Sequence, residues 1–131
     1  MIFVDTGAWY SLMVHDDPRH AVALSWFQCN HERLITTDYI LDETLTLFRA
    51  RGFHRQATEF GQNIMGQRTA DFILLDLEVI ETAWDIFQKY ADKEWSFTDC
   101  TSKVVMERLQ ISKAFAFDQH FRQFGNVVVV P

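Results

Sequence analysis

Cysteine, glycine and proline are scarce in this chain, and each shortage removes a class of protein. Two cysteines, Cys29 and Cys100, in 131 residues make neither a disulfide framework nor the paired spacing of a zinc site, so a reducing, cytoplasmic setting is expected. Five glycines and two prolines leave little room for flexible linkers. A single domain over residues 1–131 is expected, large enough to bury a core. No apolar run approaches the roughly 18 residues of a membrane span. Met1-Ile-Phe-Val-Asp5 lacks the basic start and long apolar stretch of a secretory signal, so no membrane association is expected. No Gly-rich phosphate loop or dinucleotide fingerprint occurs. Positive charge is also short. The 12 Lys and Arg face 18 Asp and Glu, a net charge of −6, which argues mildly against a nucleic-acid binder because phosphates are held by cations. The argument weakens if carboxylates hold divalent ions, which reverse the local field.

What is present is a rhythm of short apolar runs and amphipathic stretches. Ile2-Phe-Val4, Leu34-Ile-Thr36, Phe72-Ile-Leu-Leu75, Lys113-Ala-Phe-Ala-Phe117 and Val127-Val-Val-Val130 read as strands. Helices are expected between them. One follows Asp5-Thr6-Gly7. One starts at Asp17-Pro18, with Ala23, Trp26, Phe27 and Asn30 on one face. One, capped by Thr37 or Asp38, runs to Arg51 with Gly52 just beyond. In that helix Leu41, Leu45 and Phe48 form a core stripe, and Glu43 interrupts a largely apolar sector. A helix from His54 to Gln67 follows. The next is capped by Asp76, with Ile80, Ala83, Trp84, Phe87 and Ala91 inward. Ser96-Phe-Thr-Asp99 reads as a further helix start, where a hydroxyl caps and a first-turn carboxylate meets exposed amides. Alternating strand and helix imply an α/β fold with a parallel sheet.

The acids fall where such a sheet makes sites. Asp5 and Asp118 stand at strand carboxyl ends, Asp99 at a helix start, and Glu43 on a semi-buried helical face. In open parallel sheets, sites form outside the carboxyl ends of the strands. Four carboxylates in one cleft cannot all ionise unaided. A hard cation such as Mg²⁺ or Mn²⁺, which takes oxygen ligands, resolves this. No His/Cys cluster points to zinc. Each acid also has a plain structural reading, as do others: Asp76 and Asp38 as caps, Cys100 as a packed core thiol, and His120 as an exposed helical residue rather than one that touches substrate. Arg49, Arg51 and Arg55 gather around one helix end, as an RNA path, a surface for an acidic partner or a solvated face.

Four stretches together resemble the PIN domain family: Phe3-Val-Asp-Thr6, Thr37-Asp-Tyr-Ile-Leu-Asp-Glu-Thr44, Ser96-Phe-Thr-Asp-Cys100 and Ala116-Phe-Asp-Gln-His-Phe121. The resemblance covers the whole chain and is nearest to the VapC-type toxins of prokaryotic toxin–antitoxin pairs. It implies a three-layer α/β/α sandwich around a central parallel sheet. It implies an endoribonuclease dependent on Mg²⁺ or Mn²⁺, leaving 5′-phosphate and 3′-hydroxyl ends. The family's acidic positions fall on Asp5, Glu43, Asp99 and Asp118, as catalytic residues and metal ligands. Its hydroxyl positions fall on Thr6 and on Ser96 or Thr98, on the substrate side. It also implies an RNA substrate, a cognate antitoxin protein and a homodimer. The alternative is a non-cleaving RNA- or protein-binding module on the same fold. A phosphotransfer receiver would want paired acids after the first strand and a lysine near the end; Asp16-Asp17 is the nearest approach to such a pair.

Overall fold

A computed structural model describes residues 1–131. The five apolar runs become strands β1 (Ile2–Val4), β2 (Leu34–Thr37), β3 (Asp71–Ile73), β4 (Lys113–Phe115) and β5 (Val128–Val130). They form one sheet in the order β3-β2-β1-β4-β5, with every pairing parallel. Three or four residues suffice for each strand because helices supply most of the buried surface. These are α1 (Thr6–Met13), α2 (His20–Cys29), α3 (Asp38–Ala50), α4 (His54–Met65), α5 (Leu77–Lys89) and α6 (Phe97–Arg108), with a 3₁₀ helix at Gln119–Phe124.

Register sorts side chains onto the two faces. Phe3 pairs with Ile35 and Ala114, and Val4 with Phe115, so alternation sends Phe3 one way and Phe115 the other. On Phe3's face the 3₁₀ helix brings Phe121 to 6.0 Å. On the opposite face Trp26 of α2 meets Phe115 at 4.2 Å, and Trp9 of α1 donates from its indole to Thr36 Oγ1 at 3.2 Å. α3 and α4 join that layer through Phe48, which stacks on Tyr10 at 5.7 Å and meets Phe60 edge-on at 5.9 Å. α5 lies against α6. The result is the expected α/β/α arrangement.

Several local expectations shift. Asp17-Pro18 lies in the turn before α2, not at its start. Asp17 Oδ2 instead accepts from Ser11 Oγ at 2.9 Å and from the Arg19 amide at 3.0 Å, tying the turn to α1. In α3 the fully buried line is Ile40, Thr44 and Phe48, with Leu41 and Leu45 only half-buried. The deepest line is thus displaced by one residue at its first two positions and shares Phe48 with the expected one, which brings Thr44 against Thr6. Thr37 caps it, accepting from the Ile40 amide at 3.2 Å, and Asp38 accepts from the Leu75 amide at 3.1 Å. Gly52 takes a φ of +80°, the left-handed position past the helix end. β3 stops at Ile73, leaving Leu74 70% exposed. In α5, Val79 and Ala83 face inward, while Trp84 and Phe87 stack on each other at 5.8 Å, 51% and 42% exposed, and Ala91 is exposed beyond the helix. The inward face is set by the close approach of α6, which small side chains permit.

Phe48 is fully buried where α1, α3 and α4 meet. Phe48→Ala should lower unfolding stability by about 3–5 kcal/mol, the usual effect of emptying an aromatic core site. Urea denaturation followed by circular dichroism measures this, and a loss below about 1 kcal/mol would remove Phe48 from its central place.

Candidate active site

The strand order creates the site. From β1 the chain steps out to β2 and β3 on one side, then crosses back to β4 and β5 on the other. Connections diverge between β1 and β4, opening a crevice beyond their carboxyl ends. A cavity of about 690 Å³ lies there, and Asp5, Glu43, Asp99 and Asp118 all line it.

Asp5 is held most tightly. Its amide donates to the Phe115 carbonyl at 3.0 Å, extending the β1–β4 ladder, and its carbonyl accepts from the Ala8 and Trp9 amides to start α1. Its side chain makes no cap hydrogen bond, so the carboxyl faces the cavity only 6% exposed. Burial pushes its pKa up to about 8; the charges of Asp99, Glu43 and Asp118 push the same way, and the Thr6 amide opposes them. Glu43 is half-buried on α3, and its pKa also rises, by burial first, with the Asp99 and Asp118 charges adding and the Thr6 and Thr98 hydroxyls opposing. Thr44 Oγ1 donates to the Ile40 carbonyl at 2.6 Å and lies 3.3 Å from Thr6 Oγ1, fixing α3 against the start of α1.

Asp99 is set by a capping box. Ser96 Oγ accepts from the Asp99 amide at 3.0 Å, and Asp99 Oδ2 accepts from the Ser96 amide at 2.9 Å. His120 Nδ1 stands 2.9 Å from the same Oδ2 and 3.4 Å from Asp118 Oδ1. Asp118 is the most open acid, its side chain 45% exposed. Its Oδ1 accepts from the His120 amide at 2.9 Å, capping the 3₁₀ helix.

Of the hydroxyl residues, Thr6 and Ser96 line the cavity. Thr98 acts on the Glu43 carboxylate from outside the lining. Cys100, behind Asp99, is fully buried, its thiol pushed up to about 11, chiefly by burial. His120 is the residue that sequence reasoning undervalued. It is half-buried in the site, not exposed on a helix. The available signal was its place two residues after Asp118: a tight turn capped by an acid folds the following side chain back onto it. Arg19 and Glu94 also line the cavity, and nothing in the local pattern singles them out. No three Asp, Glu, His or Cys side chains stand close enough to enclose an ion as they are; the acids are spread around the cavity wall.

The sequence model of the PIN domain family matches residues 2–127. A 23S rRNA-specific endonuclease, VapC20 of Mycobacterium tuberculosis, is 35% identical over 132 residues, covering 100% of this chain and 99% of that protein. A VapC ribonuclease of Archaeoglobus fulgidus is 30% identical over 123 residues, covering 90% of this chain and 77% of that protein. The crystal structure of Mycobacterium tuberculosis VapC20, described as a sarcin–ricin loop cleaving toxin, superposes with a TM-score of 0.90 at 31% identity, covering 95% of each chain.

The raised pKa of Asp5 has a signed consequence for stability. Between its ordinary value of 3.8 and about 8, the folded protein keeps a proton that the unfolded chain releases. Its contribution to stability therefore falls as pH rises through that window and is flat above it. Asp5→Asn keeps the volume and removes the charge. Without divalent metal, the variant should match the parent near pH 4 and exceed it by about 2 kcal/mol or more at pH 8. Melting curves across pH read this directly; parallel curves for the two proteins would contradict the raised pKa of the buried carboxyl.

Proposed function

This chain belongs to the PIN domain family, and on that premise we propose that it is an endoribonuclease dependent on Mg²⁺ or Mn²⁺, the toxin of a toxin–antitoxin pair. One observation carries the reading: four carboxylates from four separate segments line a single cavity at the carboxyl edge of the sheet. A structural role does not explain them together. Asp99 and Asp118 cap helices, but Asp5 caps nothing with its side chain and is buried at the expense of its own ionisation.

The donor set fits a hard divalent cation. All four candidate ligands are carboxylates, their charges oppose one another, and Mg²⁺ commonly keeps several waters while using only one or two protein carboxylates. Acids spread around a wall suit such partly hydrated binding. Asp5, Glu43, Asp99 and Asp118 would hold the ion, which when bound supplies a Lewis acid for a phosphate oxygen and lowers the pKa of a water.

The chain's own groups do the rest. Asp99 Oδ2 is occupied by the Ser96 amide and His120 Nδ1, which leaves Oδ1 for the cavity. Burial raises the pKa of both Glu43 and Asp5, which makes each, once ionised, a stronger base than an exposed carboxylate. A water oxygen attacks the phosphorus, and its proton passes to one of these carboxylates. The P–O3′ bond breaks, and the leaving 3′-oxygen takes up a proton from solvent water, while the carboxylate later returns its own proton to solvent. The products carry 5′-phosphate and 3′-hydroxyl ends. Thr6 and Thr98 steady Glu43, and Ser96 retains a hydroxyl hydrogen for a substrate oxygen.

The same reading makes residues 1–131 one cytoplasmic catalytic domain that acts as a homodimer and is restrained by a cognate antitoxin protein. Exposed Leu74, Leu77, Trp84 and Phe87 support a protein-facing surface, since soluble monomers rarely gather large apolar groups outside. No helix is long and apolar enough to cross a membrane.

Total RNA, including 23S rRNA, should be cut with Mg²⁺ or Mn²⁺ and spared with chelator. Asp99→Asn keeps an accepting oxygen for the cap but loses the charge, so cleavage should fall about 100-fold or more while circular dichroism is unchanged. Parental cleavage by the variant would overturn the role of Asp99. Independently, the parent's melting temperature should climb with Mn²⁺, following RT ln(1 + [L]/Kd), or ~2.7 kcal/mol at about 100 times Kd. Asp5→Asn should blunt that climb. A parent indifferent to either ion at millimolar levels would leave the metal reading unsupported.

A further inference from the structure

A polyanion must enter a cavity lined by five carboxylates, those of Asp5, Glu43, Glu94, Asp99 and Asp118, on a protein of net charge −6. Arg19 is the only Lys or Arg on that wall. It is also idle. Six of the 12 basic residues sit in ion pairs with side-chain carboxylates: Arg33, Arg55, Lys93, Lys103, Arg108 and Lys113. Arg19 pairs with none, and its side chain makes no hydrogen bond, although five acids share its cavity. A counter-ion for the acid cluster would be found against one of them.

Its position is built nonetheless. The Arg19 guanidinium lies over the Phe117 ring, 5.1 Å from the centroid. Phe117 is backed edge-on by Phe115 at 6.0 Å, and Phe115 by Trp26 at 4.2 Å, so the platform is anchored in the core. The backbone is tied as well. The Arg19 amide and Ser11 Oγ both donate to Asp17 Oδ2, and His20 Nδ1 bonds the Ser11 carbonyl at 2.8 Å. A guanidinium held over a ring, with no carboxylate or hydrogen-bond partner, keeps its N–H groups free, and their planar fork matches two phosphate oxygens.

We propose that Arg19, held over Phe117 on the wall of the acid cavity, is the RNA-backbone contact of the site, gripping a phosphate that flanks the scissile one. This inference rests on the ribonuclease reading. The flanking position follows from the geometry: with no carboxylate within 4.0 Å of the guanidinium, a phosphate held there stands apart from the four acids that surround the reacting one. The contact is to backbone and carries no sequence information, so it adds affinity and salt dependence equally for any RNA.

The test uses a fluorescein-labelled, mixed-sequence single-stranded RNA in Mn²⁺ buffer, with every protein in an Asp99→Asn background so that the probe stays intact. Arg19→Ala, Arg19→Gln, Arg19→Lys and the charge-matched control Arg68→Ala are compared by anisotropy across salt. Arg68 precedes the edge strand β3 and does not line the cavity. Arg19→Ala and Arg19→Gln should each weaken binding about tenfold, as for one lost charge-assisted contact, and flatten the slope of log K against log salt by about 0.7–1. Arg19→Lys should fall between, keeping the charge without the fork. The Gln variant keeps much of the stem on Phe117, so a loss it shares with Ala is not a packing defect. Affinities and slopes equal to those of Arg68→Ala overturn the inference. Cleavage of total RNA by the unmodified parent is scored separately: a parent that cuts RNA while Arg19 proves silent keeps the ribonuclease reading, and a parent that neither binds nor cuts RNA overturns both.

Discussion

The burial of Asp5 beside three other carboxylates is the constraint around which this molecule is arranged. Asp5 is 6% exposed, without a cap bond of its own, and ringed by the charges of Asp99, Glu43 and Asp118. A group in that state would escape to solvent if its backbone allowed it. It does not, because the Asp5 amide belongs to the sheet and its carbonyl to α1. The stability needed to hold it comes from elsewhere: the Tyr10, Phe48 and Phe60 stack under α1, the Trp9 bond to Thr36, and the paired threonines that pin α3. Stored strain of this kind is common where a protein must present charge for use.

The acids are restrained in graded ways. Asp5 is immobilised by the ladder. Asp99 is locked by its capping box and His120, so one oxygen serves the helix and the other is left to the cavity. Glu43 is steadied by hydroxyls on one side only. Asp118 is the freest, exposed at the lip and held by the turn it caps. A site with rigid floor and looser rim can present fixed charge to one group and adapt to another. His120 links the tightest cap to the loosest acid, which makes the 3₁₀ helix part of the cavity wall rather than a connector.

Much of this could be read from residue order. Short β-branched runs alternating with amphipathic stretches gave the parallel sheet. Ser96-Phe-Thr-Asp99 has the local chemistry of a capped helix start, and local chemistry survives folding because its partners are three residues apart. Asp5 and Asp118 could be assigned to strand ends for the same reason. The misreadings were at faces. Trp84 and Phe87 have the spacing of an inward stripe, yet α5 turns Val79 and Ala83 to the core and leaves the two rings outside. In α3 the deepest line is displaced by one residue at its first two positions, toward Thr44. Periodicity shows that a helix has an apolar side; which of two adjacent lines is deepest depends on the neighbouring element. Asp17-Pro18 misled for a related reason: its carboxylate found a better partner in Ser11 across the turn than in a helix start.

The element types, the capped start of α6 and the choice of four acids follow from residue order alone, because propensity, capping and strand-end position are short-range properties. Folding is what brings these acids onto one wall, turns His120 inward onto Asp99 and leaves Arg19 unpaired over Phe117. Those facts depend on the crossover from β3 to β4, which carries the last third of the chain back beside β1. Arg19 and Phe117 are 98 residues apart in the chain, and no local pattern can pair residues that only a sheet order brings together.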